Sequence, residues 1–254
     1  MKISAVIQAR TGSTRLPGKV MLTIKDKPIL QYVIERLKQS KLIDDLIIAT
    51  TISRKDDIIE QFSKDNGILF FRGSEEDVLD RYYRASVFYG VDIIVRVTSD
   101  CPFVDSAIMD NFINVYQSNN VDYVSSYDEK ETYPRGIIAE VFSFTALEEA
   151  HRNARKQYQR EHVTPYLYKN PSKFKLINIE AKGKIKRPDI RLTLDTPEDF
   201  ELIKKIIQHF DDVKFRLDDI IDFLNENPHL LEINKNIKQK NRRIGRYGNE
   251  RIKN

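Results

Sequence analysis

The sequence predicts an α/β protein with a mostly parallel, doubly wound sheet. Strand-like apolar segments alternate with segments of helical spacing through the first half of the chain. The segment Ile93–Thr98 is almost continuous in β-branched residues, which is typical of a strand covered on both faces. Such alternation favours parallel strands joined by right-handed crossover helices.

The individual elements follow from local patterns. In the first half of the chain we predict strands at Ile3–Gln8, Asp45–Thr51, 68–72 and Ile93–Thr98, and helices at 29–39, 55–65 and 75–89. In the second half we predict strands at 123–126, 140–144, 174–178 and 191–193, and helices at 145–155, 160–169, Pro197–His209 and within 214–231. Ser74 and Asp77 resemble a capping box for the third helix, and Thr196 and Pro197 start the helix that follows them.

Size and composition indicate one globular domain. The 254 residues are 41% hydrophobic and 31% charged, as expected of a packed core with a solvated surface. The single cysteine, Cys101, excludes an internal disulfide and a cysteine-rich metal site. Because no apolar run is long enough to span a membrane and no signal-peptide pattern is present, we expect a cytoplasmic protein.

The charge is unevenly distributed. Residues 234–254 contain eight Lys or Arg and one acid, a net charge of +7, which leaves residues 1–233 at −3 within the total of +4. We therefore expect a domain over residues 1–233 and a flexible basic tail over residues 234–254. A mildly acidic body makes nucleic acid an unlikely partner, and the tail is expected to be a solvated or dimer-contacting arm.

Residues 7–19, directly after the first strand, are the most informative stretch. Arg10, Arg15 and Lys19 place three cations within ten residues, and Gly12 and Ser13 allow the backbone to approach a ligand. A loop of this kind at the carboxyl end of a strand suits a polyanion such as a nucleoside triphosphate. It is not a Walker A loop, since five residues rather than four separate Gly12 from Gly18 and Val20 follows Lys19.

Two aspartates follow predicted strands and are each followed closely by proline. Asp100 comes after Ile93–Thr98, and Asp195 comes after 191–193. Carboxylates at the carboxyl ends of parallel strands face the ligand crevice, where they suit Mg²⁺ bound to phosphate oxygens. Taken singly, Asp100 is also explained as a turn residue and Asp195 as part of a helix cap.

Other stretches suggest contacts to substrates. Arg135 and Glu140 flank a glycine that permits an unusual turn, and a surface hairpin explains them equally well. Arg160 and His162 suit a carboxylate or phosphate of a second substrate, although a lone histidine at a helix start is more often structural.

The loop after the third predicted strand is a candidate for base recognition. Arg72 and Ser74 lie where this loop is able to reach a nucleobase. The acidic residues 75–77 that follow are explained by the positive end of their helix.

Together these residues resemble the 3-deoxy-manno-octulosonate/acylneuraminate cytidylyltransferase family, and most closely its spore-coat polysaccharide SpsF-like branch. Residues 7–19 carry the full signature I-x-A-R-x-G-S-x-R-L-P-G-K. The resemblance continues in order through residues 73–82, 96–102, 134–142, 160–166 and 195–199.

The resemblance implies a Rossmann-like, glycosyltransferase-A-like nucleotidyltransferase fold and a homodimer, with the acceptor and dimer contacts at about residues 120–190. By position, the nucleotide would contact the backbone of Ala9, Arg10, Thr11, Gly12 and Ser13 and the side chain of Arg10, and the triphosphate would contact Arg15 and Lys19. The resemblance assigns catalysis to Arg10, Arg15, Lys19 and Asp100, and Mg²⁺ to Asp100 and Asp195. Arg135, Glu140, Arg160 and His162 would contact the acceptor.

Two residues depart from the family pattern. Ile138 stands where branch members often have an acidic residue, which puts the acceptor in question, and Ser99 replaces a glycine that often precedes the first metal aspartate. The expected reaction is transfer of CMP from CTP to an acidic sugar, with release of pyrophosphate. A phosphorylated or phosphonate alcohol as acceptor, and a catalytically silent nucleotide-binding assembly protein, remain as alternatives.

Overall fold

The structure, a computed structural model, describes residues 1–126 and 131–238. The strands of these residues are β1 (Ile3–Gln8), β2 (Thr23–Ile24), β3 (Lys27–Pro28), β4 (Asp45–Thr51), β5 (Leu69–Gly73), β6 (Ile93–Thr98), β7 (Tyr123–Ser125), β8 (Glu140–Ser143) and β9 (Leu176–Asn178). The helices are α1 (Ile29–Leu37), α2 (Asp57–Asp65), α3 (Val78–Tyr89), α4 (Ser106–Ser118), α5 (Phe144–Asn153), α6 (Gln157–His162), α7 (Pro165–Tyr168), α8 (Pro197–His209) and α9 (Leu217–Glu226).

Seven strands of the described residues form one sheet in the order β5-β4-β1-β6-β8-β7-β9. Strands β5, β4, β1 and β6 pair in parallel, and β7 pairs in parallel with β9. Strand β8 runs antiparallel to both of its neighbours, β6 and β7. The predicted α/β class with a mostly parallel sheet is confirmed.

Both faces of the sheet are covered, as in a doubly wound fold. On β1, Ala5 and Ile7 belong to a core that contains residues of α1, α4, α8 and α9, whereas Val6 belongs to a second core with residues of α3 and α5. Successive side chains of a strand point to opposite faces, so the apolar run of β1 supplies both cores. Strand β1 is therefore held between the two cores, in the interior of the sheet.

The predicted strand at 191–193 is wrong. Arg191 forms only an isolated bridge with Arg135, and the segment belongs to none of the sheet strands among the described residues. The segment is nevertheless buried. Its backbone bonds to the chain before β8, where Arg135 N donates to Ile190 O at 2.8 Å and Leu192 N donates to Arg135 O at 2.7 Å. It therefore packs as a loop against the chain that leads into β8.

The helices predicted at 29–39, 55–65 and 145–155 lie within two residues of the bounds of α1, α2 and α5, and two other predicted helices differ more. The helix predicted at 160–169 is two short helices, α6 and α7, separated by Val163 at a φ of 70°. Helix α3 begins later than predicted, because Asp77 is its N-cap and accepts the Asp80 N–H at 2.9 Å. Ser74 Oγ accepts the Asp77 N–H at 3.1 Å, so it stabilises the turn before the helix.

The sequence prediction missed helix α4 and the short β2–β3 hairpin. Asp105 caps α4, since its carboxylate accepts the N–H groups of Ala107 and Ile108 at 3.0 and 3.2 Å. The buried residues Met109, Phe112 and Ile113 follow the helical spacing that was overlooked.

The basic tail was predicted to begin at residue 234, but Asn234 is buried. Its Nδ2 donates to Arg191 O at 3.1 Å and to Asp199 Oδ1 at 2.9 Å. Residues 239–254, which hold most of the predicted tail, lie outside the described residues. No helix of the described part combines the length and apolarity needed to cross a membrane.

Candidate active site

A cleft of about 410 Å³ lies at the carboxyl ends of β1 and β6. The two strands are neighbours, with Gln8 paired to Thr98, so the loops that follow them open at the same edge of the sheet. The other walls come from the start of α3, the end of α6 and Asp195. This is the edge at which parallel α/β sheets bind ligands.

Lys19 joins the three segments that carry the predicted site. Its Nζ donates to Asp100 Oδ2 at 2.7 Å, to Asp195 Oδ1 at 2.9 Å and to Leu194 O at 2.7 Å. The side chain is mostly buried, and Gly18 before it adopts a φ of 68° that favours glycine. One ammonium thus lies between the two aspartates that the sequence singled out.

Backbone bonds hold the two aspartates close to each other. Leu194 N donates to Asp100 O at 2.8 Å, and Thr193 Oγ1 donates to the same oxygen at 3.3 Å. The residues before Asp195 therefore pack directly on the turn that carries Asp100.

The site is charge-balanced by close ion pairs. Burial alone would lower the pKa of Lys19, but the carboxylates of Asp100 and Asp195 hold that pKa above its ordinary value. Burial alone would raise the pKa of Asp195, yet the Lys19 cation holds it below its usual range. Both groups are therefore charged at neutral pH, and the cleft presents two carboxylates together with cations.

Asp195 receives further cations on its second oxygen. Arg15 Nη2 lies 2.9 Å from Asp195 Oδ2, and Arg191 Nη2 donates to the same oxygen at 2.8 Å. Arg15 reaches the site from the loop after β1, whereas Arg191 is buried behind it.

The loop after β1 is anchored at its base by Asp56. The Thr11 N–H and the Thr11 hydroxyl each donate to Asp56 Oδ1 at 2.7 Å, and the Thr51 hydroxyl donates to Asp56 Oδ2. Asp56 is buried, so this carboxylate fixes the loop against the end of β4. Sequence reasoning missed Asp56, because only the fold brings it to the loop.

The loop backbone uses several of its N–H groups internally. Ala9 N donates to Ala49 O at 3.2 Å, Thr11 N donates to Asp56, and Ser13 N donates to Thr11 O at 2.8 Å. The predicted contact between the Ala9–Ser13 backbone and the nucleotide is therefore not available through these three N–H groups, which already have acceptors in the protein. The cations Arg10, Arg15 and Lys19 of the loop line the cleft.

Comparisons with known proteins identify the family of the chain. The family model described as cytidylyltransferase matches residues 4–237. The chain belongs to the cytidylyltransferase family. It is 48% identical over 243 residues to an uncharacterized protein of Methanocaldococcus jannaschii, covering 96% of this chain and 98% of that one. It is 36% identical over 229 residues to the spore coat polysaccharide biosynthesis protein SpsF of Bacillus subtilis, covering 88% of this chain and 94% of that one.

A solved structure shows the same relation. A cytidylyltransferase from Leptospira borgpetersenii serovar Hardjo-bovis is 37% identical, with a TM-score of 0.87 over 94% of this chain and 99% of that chain. Cytidylyltransferases of 3-deoxy-manno-octulosonate are also similar in sequence and in fold. The predicted family, its SpsF-like branch and the nucleotidyltransferase class are confirmed, which argues against a catalytically silent protein.

In this cytidylyltransferase the predicted phosphate-binding residues meet in one cleft. Arg10, Gly12 and Ser13 line it, together with Arg15, Lys19, Asp100 and Asp195. Arg10 is half exposed and lies 3.7 Å from Glu75, a surface pair that contributes little to stability.

The two residues predicted to reach a nucleobase do not line the cleft. Arg72 donates to Thr51 O and Ser53 O at 2.8 Å and pairs with acids at the start of α2. Ser74 accepts the N–H of Asp77 as described above. Both residues therefore stabilise the local structure of the cytidylyltransferase around the starts of α2 and α3.

Of the four predicted acceptor contacts, His162 lines the cleft. Arg160 instead pairs with Asp77 at 2.6 Å, and Arg135 pairs with Glu131 at 2.9 Å beside a different cavity. Glu140 is buried and is bonded by Arg96, Tyr123 and Thr164. The structure therefore does not bring these four residues together.

The cleft also contains residues that sequence reasoning did not select, of which Arg81 stands out. Its side chain is almost fully buried, and Nη1 donates to Ser74 O at 2.5 Å. Burial lowers the pKa of Arg81, and the charge of Arg10 adds to that effect. The only signal in the sequence was its place in the stretch 73–82.

Proposed function

We propose that this cytidylyltransferase transfers CMP from CTP to an acidic sugar, in a Mg²⁺-dependent reaction that releases pyrophosphate and serves surface polysaccharide or glycan biosynthesis. The observation that carries the proposal is the Lys19 ammonium, bonded to Asp100 and Asp195 at the base of a cation-lined cleft. Cations beside a carboxylate pair suit a magnesium triphosphate. The names of the SpsF and 3-deoxy-manno-octulosonate relatives support the acceptor class.

The residues present fit a magnesium ion. The described residues contain no group of three or more His, Cys, Asp and Glu able to hold a metal by themselves. Mg²⁺ does not require one, because it commonly binds one or two carboxylates and takes its remaining ligands from phosphates and water. Asp100 and Asp195 already share one cation, the Lys19 ammonium, and would hold the metal in its place.

The chain's own residues orient the triphosphate and balance its charge. An acceptor hydroxyl oxygen forms a bond to the α-phosphorus and gives up its proton to water, the bond from that phosphorus to the bridging oxygen breaks, and pyrophosphate leaves with the electron pair. In the proposed reaction Lys19 and Arg15 turn from the carboxylates to the phosphates and neutralise the charge that grows on the leaving group, and Arg10 holds the nucleotide from the rim. Bound Mg²⁺ would supply further charge neutralisation at the phosphates.

The test is a substrate matrix. The protein is incubated with each of the four nucleoside triphosphates, with and without Mg²⁺, against acidic sugars and against phosphorylated and phosphonate alcohols, and products are identified by mass. We expect a CMP-linked acidic sugar that forms only with CTP and Mg²⁺. A product from a phosphorylated or phosphonate alcohol would show that the acceptor belongs to that class, and the reaction type would stay the same. Ile138, where an acidic residue is often found, leaves this outcome open.

Two further expectations belong to this proposal. The homodimer implied by the family resemblance predicts twice the chain mass of 29.8 kDa in sedimentation equilibrium. A cytoplasmic location predicts that the protein fractionates with the cell contents after membranes are removed.

A further inference from the structure

Arg191 is the one of the three cations on Asp195 that also holds the fully buried carboxylate of Asp199. Its guanidinium donates from Nε to Asp199 Oδ1 at 2.8 Å and from Nη2 to Asp199 Oδ2 at 3.0 Å. The same Nη2 donates to Asp195 Oδ2 at 2.8 Å. Arg191 thus bridges two carboxylates with a planar fork, which a lysine ammonium does not reproduce.

Asp199 is in turn fixed from several sides. It is fully buried at the start of α8, where its Oδ2 accepts the N–H groups of Asp195 at 3.0 Å and Thr196 at 3.1 Å. Its Oδ1 accepts Asn234 Nδ2 at 2.9 Å, and Asn234 also donates to the backbone oxygen of Arg191. Five donors from four residues therefore hold one carboxylate, and through it Arg191.

Arg15 and Lys19 are placed differently. Both come from the loop after β1, and the proposed reaction gives both to the triphosphate. Arg191 is buried away from that loop and makes its bonds to α8 and Asp195. In the proposed reaction Arg15 and Lys19 bind phosphate, and Arg191 keeps its bond to Asp195.

We propose, on the basis of the proposed function, that Arg191 is a positioning residue for nucleotidyl transfer: fixed by Asp199 and Asn234, it keeps the Asp195 carboxylate oriented toward the metal-bound triphosphate. Residues that orient a metal ligand typically contribute about 10-fold to 100-fold to metal affinity. The role is indirect, since Arg191 acts through Asp195.

The test measures CTP affinity by calorimetry, with Mg²⁺ and again with a chelator. Arg191→Lys keeps the charge and loses the fork, so we expect affinity for CTP to fall about tenfold with Mg²⁺ and to change less than about threefold without it. Arg187→Lys is the matched control, because Arg187 pairs with Asp189 at the surface and is expected to leave both affinities unchanged. Equal losses with and without Mg²⁺, or no loss, would overturn the role.

A double-mutant cycle separates positioning from general damage. In an Asp195→Asn background, Arg191→Lys is expected to cost no further affinity for magnesium CTP, since the carboxylate that it positions is gone. A second full tenfold loss in that background would contradict the proposal. Asn234→Ala, a milder change that keeps Arg191, is expected to show the same magnesium-specific loss at about threefold; no loss, or an equal loss without Mg²⁺, would count against the proposal.

The wild-type titration distinguishes the two levels of inference. Wild-type protein that binds CTP equally with and without Mg²⁺ would refute the magnesium-dependent function, and the role of Arg191 with it. A wild-type protein with a clear magnesium effect and an Arg191→Lys variant that retains it would refute the role of Arg191 alone.

Discussion

The ammonium of Lys19 lies 2.7 Å from Asp100 Oδ2, although the two residues are 81 positions apart in the chain. This contact joins the basic loop after β1 to the turn after β6. Because Leu194 O and Asp195 accept bonds from the same nitrogen, Lys19 is the point at which three distant segments meet. Its removal therefore takes away the cation that Asp100 and Asp195 share.

Lys19→Ala and Asp100→Asn are each expected to lower turnover about 100-fold or more, because each removes a preorganised charge from the site of phosphoryl transfer. The measurement is pyrophosphate release from CTP with the acceptor found in the substrate matrix. Thermal unfolding of each variant shows whether the fold is retained, and we expect that it is.

Lys27→Ala is the control for this pair of variants. Lys27 pairs with Glu35 at 3.0 Å on the exposed surface near α1, so its loss removes a lysine without touching the cleft. It is expected to keep wild-type turnover. Unchanged turnover in Lys19→Ala or Asp100→Asn would show that the site has been assigned wrongly.

Asp56→Ala is expected to release the base of the loop after β1. The substitution leaves the Thr11 N–H and the Thr51 hydroxyl without their acceptor, which costs about 1 to 3 kcal/mol for each buried group left unpaired. Since the loop carries Arg15 and Lys19, we also expect KM for CTP to rise. Chemical denaturation and initial-rate kinetics measure the two effects.

Thr11→Val is the matched partial change. It deletes the hydroxyl that donates to Asp56 Oδ1 and keeps the backbone N–H that donates to the same atom. Its effect on KM is therefore expected to be smaller than that of Asp56→Ala. The reverse order would mean that Asp56 does not anchor the loop through its backbone contact.

Local patterns in the sequence were sufficient for much of the fold. Strands β1, β4 and β6 and helix α8 have the predicted bounds, because each combines an apolar run with a clear start or stop signal. Asp100 follows β6 as predicted, but Asp195 follows no strand of the sheet. It meets Asp100 because the loop before it packs on the turn after β6. In contrast, Leu192 and Leu194 alternate with polar residues and are buried in a loop, a pattern that sequence alternation does not distinguish from a strand.

The remaining site residues depend on tertiary contacts that no local pattern encodes. Glu140 was equally consistent with a substrate contact and a surface hairpin, but the fold buries it against Arg96 and Tyr123. Arg191 was treated only as part of a strand. Its bonds to Asp195 and Asp199 depend on the loop conformation of the segment, and Asn234, which bonds its backbone oxygen, is 43 residues away in the chain. The sequence thus indicates which chemical groups are present, and tertiary packing determines which of the arginines and acids lie in the cleft.

Gly136→Ala is expected to lower the free energy of unfolding by at least about 2 kcal/mol. Gly136 has a φ of 102°, and an added Cβ would lie 2.7 Å from the backbone carbon and oxygen of Leu192. The strain falls on the segment that leads to Asp195. Chemical denaturation measures the loss.

Gly67→Ala isolates the steric part of that effect. Gly67 has a φ of 62° and no atom within 4 Å of an added Cβ, so its substitution carries only the conformational cost, about 1 kcal/mol. Equal losses in the two variants would show that the close approach of Gly136 to Leu192 does not matter for stability.

Tyr82→Phe is expected to lower the free energy of unfolding at neutral pH by about 1 to 2 kcal/mol. The Tyr82 hydroxyl is buried and lies 3.0 Å from Val6 O and 3.1 Å from Val97 O, near the ends of the two strands that bear the cleft. Tyr83→Phe is the control on the same helix, because its hydroxyl makes only a 3.4 Å contact to Glu148. A similar loss in both variants would contradict a special role for Tyr82.

Tyr82 also predicts a dependence of stability on pH in the alkaline range. Burial raises the pKa of Tyr82 to about 12 from an ordinary value of 10.0. The folded protein therefore holds this proton more tightly than the unfolded chain, so the contribution is complete below pH 10 and is lost as the pH rises toward about 12. Free energies of unfolding measured across this range should fall more steeply for the wild type than for Tyr82→Phe, and parallel curves would mean that the phenol ionises in the folded protein as readily as in the unfolded chain.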